Sequence, residues 1–117
     1  MTMRFLILLL LAFPAHAEWD ATDRWLGTAA VTTLAFDWGQ TRTTAKQPNL
    51  YYETNPILGR HPSTGQVDAY FVTCIIGTML IADWLAPANR KLFLGTVTAL
   101  EIVVTQRNRQ LGIKIAF

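Results

Sequence analysis

Three carboxylate side chains lie in or at the ends of long apolar stretches of this 117-residue chain. Glu101 interrupts one stretch, Asp37 lies near the end of another, and Asp68 begins a third. An ionised carboxylate is costly among apolar groups, so such residues pair with a partner, bind a ligand or exchange a proton. Thr41 follows Asp37 by one helical turn, and Thr98 precedes Glu101 by a similar distance. The pattern predicts buried polar chemistry carried by carboxyl groups.

The most specific pattern lies between the first two apolar stretches, where Glu53, Asn55 and Pro56 follow one another closely. Pro56 keeps the backbone of Asn55 out of the helical region. An asparagine side chain in such a turn bonds to nearby backbone groups. Two interpretations remain open: a plain structural turn, or a turn that presents Glu53 and Asn55 to the buried carboxylates.

Three predicted membrane-spanning helices position these residues, at 21–41, 67–86 and 91–106. Hydrophobic residues make up 51% of the chain and charged residues only 15%, whereas soluble domains carry about 25% charge. Trp25 and Trp38 flank the first stretch as interfacial aromatics flank membrane helices. The sequence therefore predicts an all-α fold, a three-helix transmembrane bundle formed by residues 18–117.

Two other folds compete with this prediction. A soluble helical bundle is disfavoured because the second and third stretches lack a polar stripe wide enough for a solvent face. The basic tail, residues 107–117, ends in alternating apolar residues, as the last strand of an outer-membrane barrel does. A barrel needs at least about eight such strands, so a strand-like or interfacial segment near the membrane surface is the favoured interpretation of the tail.

Residues 1–17 have the pattern of a cleavable signal peptide. Arg4 precedes an apolar run at 5–13, Pro14 ends that run, and Ala15 and Ala17 form an A-x-A cleavage pattern. The run is too short to span a bilayer, which takes about 20 residues. The alternative is an uncleaved N-terminal helix.

The distribution of cations predicts the orientation of the bundle. One side carries six cations, Arg42, Lys46, Arg60, Arg107, Arg109 and Lys114. The other side carries three, Arg24, Arg90 and Lys91. The positive-inside rule places the richer side in the cytoplasm. We therefore expect a bacterial inner-membrane protein with a cytoplasmic loop at 42–66, the mature N-terminus outside and the C-terminus in the cytoplasm.

This orientation places the carboxylates and the loop on the same side of the membrane. The predicted inner-leaflet polar cluster consists of Asp37, Thr41, Glu53, Asn55, Pro56, Asp68 and Glu101. We expect the turn 53–56 to tuck under the helices and to bring Asn55 or Arg60 within hydrogen-bond reach of Asp37 and Glu101. The cluster is either a ligand or proton site, or a set of interhelical hydrogen bonds and ion pairs that hold the helices together.

Small residues recur at intervals of four in the second and third stretches. They are Ala69, Thr73 and Gly77 in the second, and Gly95 and Ala99 in the third. Small residues at this spacing let membrane helices approach closely. The spacing therefore predicts helix-packing faces.

An Asp-x-x-x-Thr pattern at the end of the first stretch, followed by Glu-x-Asn-Pro before the second, resembles a family of small bacterial multi-span membrane proteins of unknown function. The residues that carry the resemblance are Asp37, Thr41, Glu53, Asn55 and Pro56. It covers residues 33–106, and the chain departs from the family in its signal peptide and its three remaining spans. The family implies one inner-leaflet site formed by these residues and supplies no established activity.

No motif in the chain indicates a known reaction, and we assign no catalytic residue. Phosphate-binding glycine loops, zinc-protease helices and serine-hydrolase elbows are all missing from the sequence. One cysteine, two histidines and no run of cations predict no metal site, no cofactor and no nucleic-acid partner. The sequence favours a non-enzymatic membrane protein that associates with itself or with other membrane proteins in the lipid bilayer. A membrane-embedded enzyme or carrier that uses the polar cluster is the alternative, and a holin-like lysis protein is a second one.

Overall fold

The computed structural model describes residues 18–117, which form three helices. These are α1 (Ala21–Lys46), α2 (Thr64–Trp84) and α3 (Pro87–Gln110). The described residues contain no strand, so the all-α prediction is confirmed. The predicted signal peptide, residues 1–17, lies outside the described residues.

Local side-chain chemistry sets the helix starts. Asp20 caps α1, since its Oδ1 accepts from Asp23 N at 2.8 Å and Asp23 Oδ2 accepts from Asp20 N at 3.0 Å. Ser63 and Gln66 form the same reciprocal cap on α2. Proline occupies the first position of α3, where its missing N–H is not needed.

The helices α1 and α3 extend beyond the predicted spans, which ended at residues 41 and 106. The last part of α1 is polar yet buried, including Thr43 and Thr44, because the C-terminal segment packs over it. The end of α3 is set by Gly112, whose φ of +83° lies in the left-handed region. Hydropathy alone therefore placed both helix ends too early.

The first helix is central to the bundle because it packs against both others. Near its start, Ala30 meets Ala82 of α2 and Leu94 of α3 in one buried cluster. Further along, Leu34 meets Val67 and Phe71 of α2 in a second cluster. These two clusters pack α2 and α3 against α1.

A buried charged cluster joins the three helices at one end of the bundle. Arg90 of α3 is 0% exposed and donates from Nη1 to Asp23 Oδ2 at 3.1 Å and from Nε to the carbonyl of Ala82 at 2.8 Å. Lys91 Nζ contacts Asp23 Oδ1 at 2.8 Å and Asp20 Oδ2 at 2.9 Å. We call Asp20, Asp23, Arg90 and Lys91 the Arg90 network.

The C-terminal segment runs extended along the end of α1. The N–H of Ala116 donates to the carbonyl of Gly39 at 3.1 Å, and Thr43 Oγ1 donates to the carbonyl of Lys114. The ring of Phe117 meets the Trp38 ring edge-on, with centroids 5.4 Å apart. The extended conformation agrees with the strand-like interpretation of the tail, and its hydrogen bonds are made to a helix.

The predicted packing faces do not pack within the chain. Ala69, Thr73 and Ala99 are exposed, and a Cβ added at Gly77 or Gly95 would meet nothing within 4 Å. Side chains on other faces of α2 and α3 make the contacts with α1, so packing of the small residues against a partner stays a prediction.

Only one of the three predicted spans meets a length-and-composition test for crossing a membrane, among the residues described. It is α2, Thr64–Trp84. The helices α1 and α3 contain 26 and 24 residues, and a rise of about 1.5 Å per residue makes both longer than the ~30 Å hydrocarbon core. Both helices are therefore long enough to cross a bilayer, but they are more polar than α2.

Replacing Arg90 tests whether the charged cluster holds the helix ends together. We expect Arg90→Gln to lower the free energy of unfolding by about 3 kcal/mol or more, because it removes one partner of a buried ion pair. Unfolding in detergent micelles, followed by circular dichroism, measures this loss. The exposed Arg107→Gln is the control and should change stability by less than about 0.5 kcal/mol. Equal stabilities of the two variants would contradict the assignment.

Replacing Gly39 tests the docking of the C-terminal segment. A Cβ at this position would lie 2.9 Å from Phe117 Cε2 and would also contact Ile115 Cγ2. Gly39→Ala should therefore destabilise the fold by about 1–3 kcal/mol and speed carboxypeptidase digestion of the tail. Gly95→Ala is the matched control and should leave stability unchanged or raise it by up to about 1 kcal/mol. A Gly39→Ala variant as stable as Gly95→Ala would show that the tail does not pack here.

Candidate functional site

A polar cavity of about 180 Å³ lies between the three helices and the α1–α2 loop, at the end of the bundle away from the Arg90 network. Its polar walls include Asp37, Thr41, Glu53, Asn55, Tyr70 and Glu101. Leu58, Phe71 and Val104 add apolar walls. We call this space the carboxyl cavity.

The centre of the site is a pair of carboxyl groups from α1 and α3. The carboxyl groups of Asp37 and Glu101 lie close enough to interact, and Asp37 is only 8% exposed. Asp37 Oδ1 also accepts from Thr41 Oγ1 at 3.1 Å. Two adjacent buried carboxyl groups resist ionising together, and a hydrogen bond between them requires a proton on one of them. This arrangement favours one proton shared by the pair.

One oxygen of this pair depends for a donor on the other carboxyl group or on a ligand. Glu101 Oε2 is buried, and no N–H or hydroxyl group of the described residues donates to it. A buried acceptor left without a donor is unfavourable. Either a proton shared with Asp37 or a bound group that donates a hydrogen bond satisfies this oxygen.

The loop closes the cavity through a turn that is bonded both to itself and to α2. Glu53 Oε1 accepts from the N–H groups of Thr54 and Asn55, each at 3.0 Å. Asn55 Oδ1 accepts from Ile57 N at 2.9 Å, and its Nδ2 donates to Tyr70 Oη at 2.8 Å. Both interpretations of the turn therefore apply: the side chains build the turn and also line the cavity.

The third carboxyl group of the cavity belongs to Glu53. Burial raises the pKa of Glu53 above its ordinary value, the backbone N–H groups of Asn55 and Thr54 oppose this rise, and the nearby Asp37 adds to it. The three carboxyl groups make the cavity attractive to a cation. Within the described residues, no group of three or more His, Cys, Asp or Glu side chains has an arrangement that could hold a metal ion.

Five of the seven residues predicted to form the polar cluster line the carboxyl cavity. They are Asp37, Thr41, Glu53, Asn55 and Glu101. Pro56 is exposed beside the cavity, where it restricts the backbone of Asn55. Whether the cluster acts as a functional site stays a prediction.

Asp68 lies outside the cavity, which corrects its place in the predicted cluster. It pairs with Arg42 and accepts from Trp38 Nε1 at 2.8 Å. The reason is helical register: Asp68 and Tyr70 are two residues apart, so their side chains point about 200° apart around α2. Tyr70 faces the cavity, and Asp68 faces α1.

The predicted role of Arg60 is also corrected. The Arg60 guanidinium lies over the Tyr52 ring, 4.6 Å from its centroid, and the carbonyl of Arg60 accepts from Glu53 N at 2.8 Å. Asn55 does reach the cavity, where its amide bonds to Tyr70. The loop therefore brings an amide, and not the Arg60 guanidinium, to the cavity wall.

Sequence reasoning missed Tyr70, which forms one wall of the site. It lies near the start of the second apolar stretch, between Ala69 and Phe71. The only available signal was its type, since a tyrosine near a span end has an apolar ring and a hydroxyl that needs a partner. Its partner, Asn55, is 15 residues away in the loop, and spacing alone does not reveal that contact.

Comparison of the chain with protein-family models, with curated proteins and with solved structures finds no match. The resemblance to small bacterial multi-span membrane proteins stays a prediction carried by its five residues.

Proposed function

We propose that this protein is an integral membrane protein of the bacterial inner membrane. The support is the apolar surface of α2 and α3. Their exposed large apolar side chains are Val72, Ile76, Leu80 and Ile81 on α2, and Leu92, Leu100, Ile102, Val103 and Val104 on α3. Soluble monomers rarely expose contiguous apolar surface on this scale. A bilayer covers it, with the mature N-terminus outside.

Within that bundle, the carboxyl cavity binds a small organic cation in exchange for a proton. The observation that carries this proposal is that Glu101 Oε2, buried in the cavity that Asp37 also lines, receives no hydrogen bond from any N–H or hydroxyl group of the described residues. A protonated amine supplies both the missing donor and the opposite charge. The aromatic walls formed by Tyr70 and Phe71 add a further attraction for a cation.

The volume of the cavity limits the size of the ligand. Its volume of about 180 Å³ is smaller than the roughly 300–1,000 Å³ of pockets that hold drug-sized ligands. The ligand is therefore an amine of a few heavy atoms.

The exchange balances in charge and protons. The pair begins with one proton shared between Asp37 and Glu101. When the ammonium group enters, it donates a hydrogen bond to Glu101 Oε2, and the shared proton leaves to solvent. One positive charge enters and one leaves, so the cavity keeps its net charge. This is the binding half of a carrier cycle and requires no covalent chemistry.

A second candidate function is association with another copy or another membrane protein. It is favoured by the small residues of α2 and α3, which meet nothing within 4 Å at Gly77 and Gly95. The holin-like alternative stays a prediction from the sequence.

Calorimetry with methylammonium as the probe tests cation binding in detergent micelles. We expect Glu101→Gln to weaken binding by about tenfold or more, because it removes a charge-assisted hydrogen bond. Proton release upon binding, followed with a pH indicator in weak buffer, should be lost in the same variant.

Asp68→Asn is the matched control, since it removes a carboxylate of α2 that lies outside the cavity. It should bind methylammonium as the wild type does. Loss of binding in both variants, or binding without proton release in the wild type, would contradict the proposed exchange.

A further inference from the structure

A groove of about 430 Å³ lies between α1 and α2 at the end of the bundle that carries the Arg90 network. Gly27 and Val31 of α1, Met79 of α2 and the Trp19 ring form most of its lining. These groups are largely apolar, whereas Arg24 adds a cation to the lining. We call this feature the Trp19 groove.

The groove has a fixed wall. A Cβ at residue 27 would lie 2.8 Å from Trp19 Cζ3, so glycine at this position lets the indole ring lie against α1. Trp19 Nε1 donates to Asp83 Oδ1 at 3.0 Å, which anchors the ring to the end of α2. The Arg90 guanidinium lies 5.1 Å from the centroid of the same ring. The indole is therefore held from two sides, and the groove is formed without a ligand.

The charge in the groove is available to a ligand. Arg24 is exposed, and its guanidinium makes one hydrogen bond, from Nη1 to the carbonyl of Trp19 at 3.1 Å. It forms no ion pair with any residue in the range 18–117. Because a guanidinium has five N–H donors, most of them are left to bind an anion.

We propose that the Trp19 groove binds an anionic phospholipid, with an acyl chain along Val31 and Met79 and the phosphate at Arg24. An apolar groove with a single cation complements an amphiphile that has an apolar chain and an anionic head. Trp25, which is 76% exposed, lies beside Arg24, and tryptophans of this kind lie at the headgroup level of membranes. The groove volume also falls within the range of roughly 300–1,000 Å³ found for ligand pockets. The proposal rests on the membrane location proposed above and is independent of the carboxyl cavity.

Native mass spectrometry of the full chain in detergent tests the groove with phosphatidylglycerol and phosphatidylcholine of identical acyl chains. We expect the protein to retain phosphatidylglycerol in preference to phosphatidylcholine. Arg24→Gln should reduce the retained phosphatidylglycerol about fivefold. This factor corresponds to the binding free energy that one cation contributes near an anionic membrane surface. Arg24→Lys should restore most of the retention, and Arg107→Gln, which removes an exposed cation at the other end, should change nothing.

A second variant tests the apolar part of the groove without changing its charge. Val31→Trp fills the path of the acyl chain and should also reduce retention, while helix content measured by circular dichroism stays at the wild-type level. If this variant loses its helix content, Thr32→Phe in the same groove replaces it.

Four results would overturn the assignment. Two concern the phospholipids: equal retention of phosphatidylglycerol and phosphatidylcholine, or an equal loss of retained phosphatidylglycerol in Arg24→Gln and Arg107→Gln. The other two are retention of free oleate but of neither phospholipid, and a lipid-free dimer that Val31→Trp disrupts. Flotation with phosphatidylcholine vesicles tests the membrane location separately. A chain that floats but does not select phosphatidylglycerol contradicts only the proposal for the groove.

Discussion

The buried guanidinium of Arg90 is the interaction on which the arrangement of the three helices depends. Arg90 lies on α3. It donates to Asp23 at the start of α1 and to the carbonyl of Ala82 near the end of α2. A guanidinium is planar and has its donors in a fixed fork, so these acceptors leave little freedom in how the helix ends meet. Burying a charge is unfavourable unless it is paired and hydrogen bonded, and here the three helices must come together to supply the partners.

At the other end of the bundle, no ion pair among residues 18–117 joins all three helices, and the site lies at this end. There, α1 meets α3 through the carboxyl pair of Asp37 and Glu101. The loop fills the remaining space and is bonded to α2 through Asn55 and Tyr70. One end is therefore closed by charge pairing around Arg90, and the other holds a small cavity lined by carboxyl groups.

Much of this arrangement follows from local sequence signals. Long apolar stretches ended by proline and charged residues predict the three helices, and carboxylates within those stretches predict most of the cavity wall. Glu53, Asn55 and Pro56 predict a defined turn because proline and asparagine restrict backbone conformation locally. These features depend on neighbours a few residues apart, which a single sequence contains.

The remaining features depend on contacts between distant residues. Asp23 and Arg90 are 67 residues apart, and nothing in their spacing indicates that they pair. Asp68 was misplaced because its helix face depends on the rotation of α2 against α1. The small residues of α2 and α3 have the right spacing for packing, yet only the fold decides which face of each helix meets α1.

The central claim is that Asp37 and Glu101 share a proton in the carboxyl cavity, and infrared spectroscopy measures this state directly. We expect the wild type at neutral pH to have the carbonyl absorption of a protonated carboxyl group. That band should vanish or shift in Glu101→Gln and persist in Asp68→Asn. A wild type without a protonated carboxyl band at neutral pH would contradict the account.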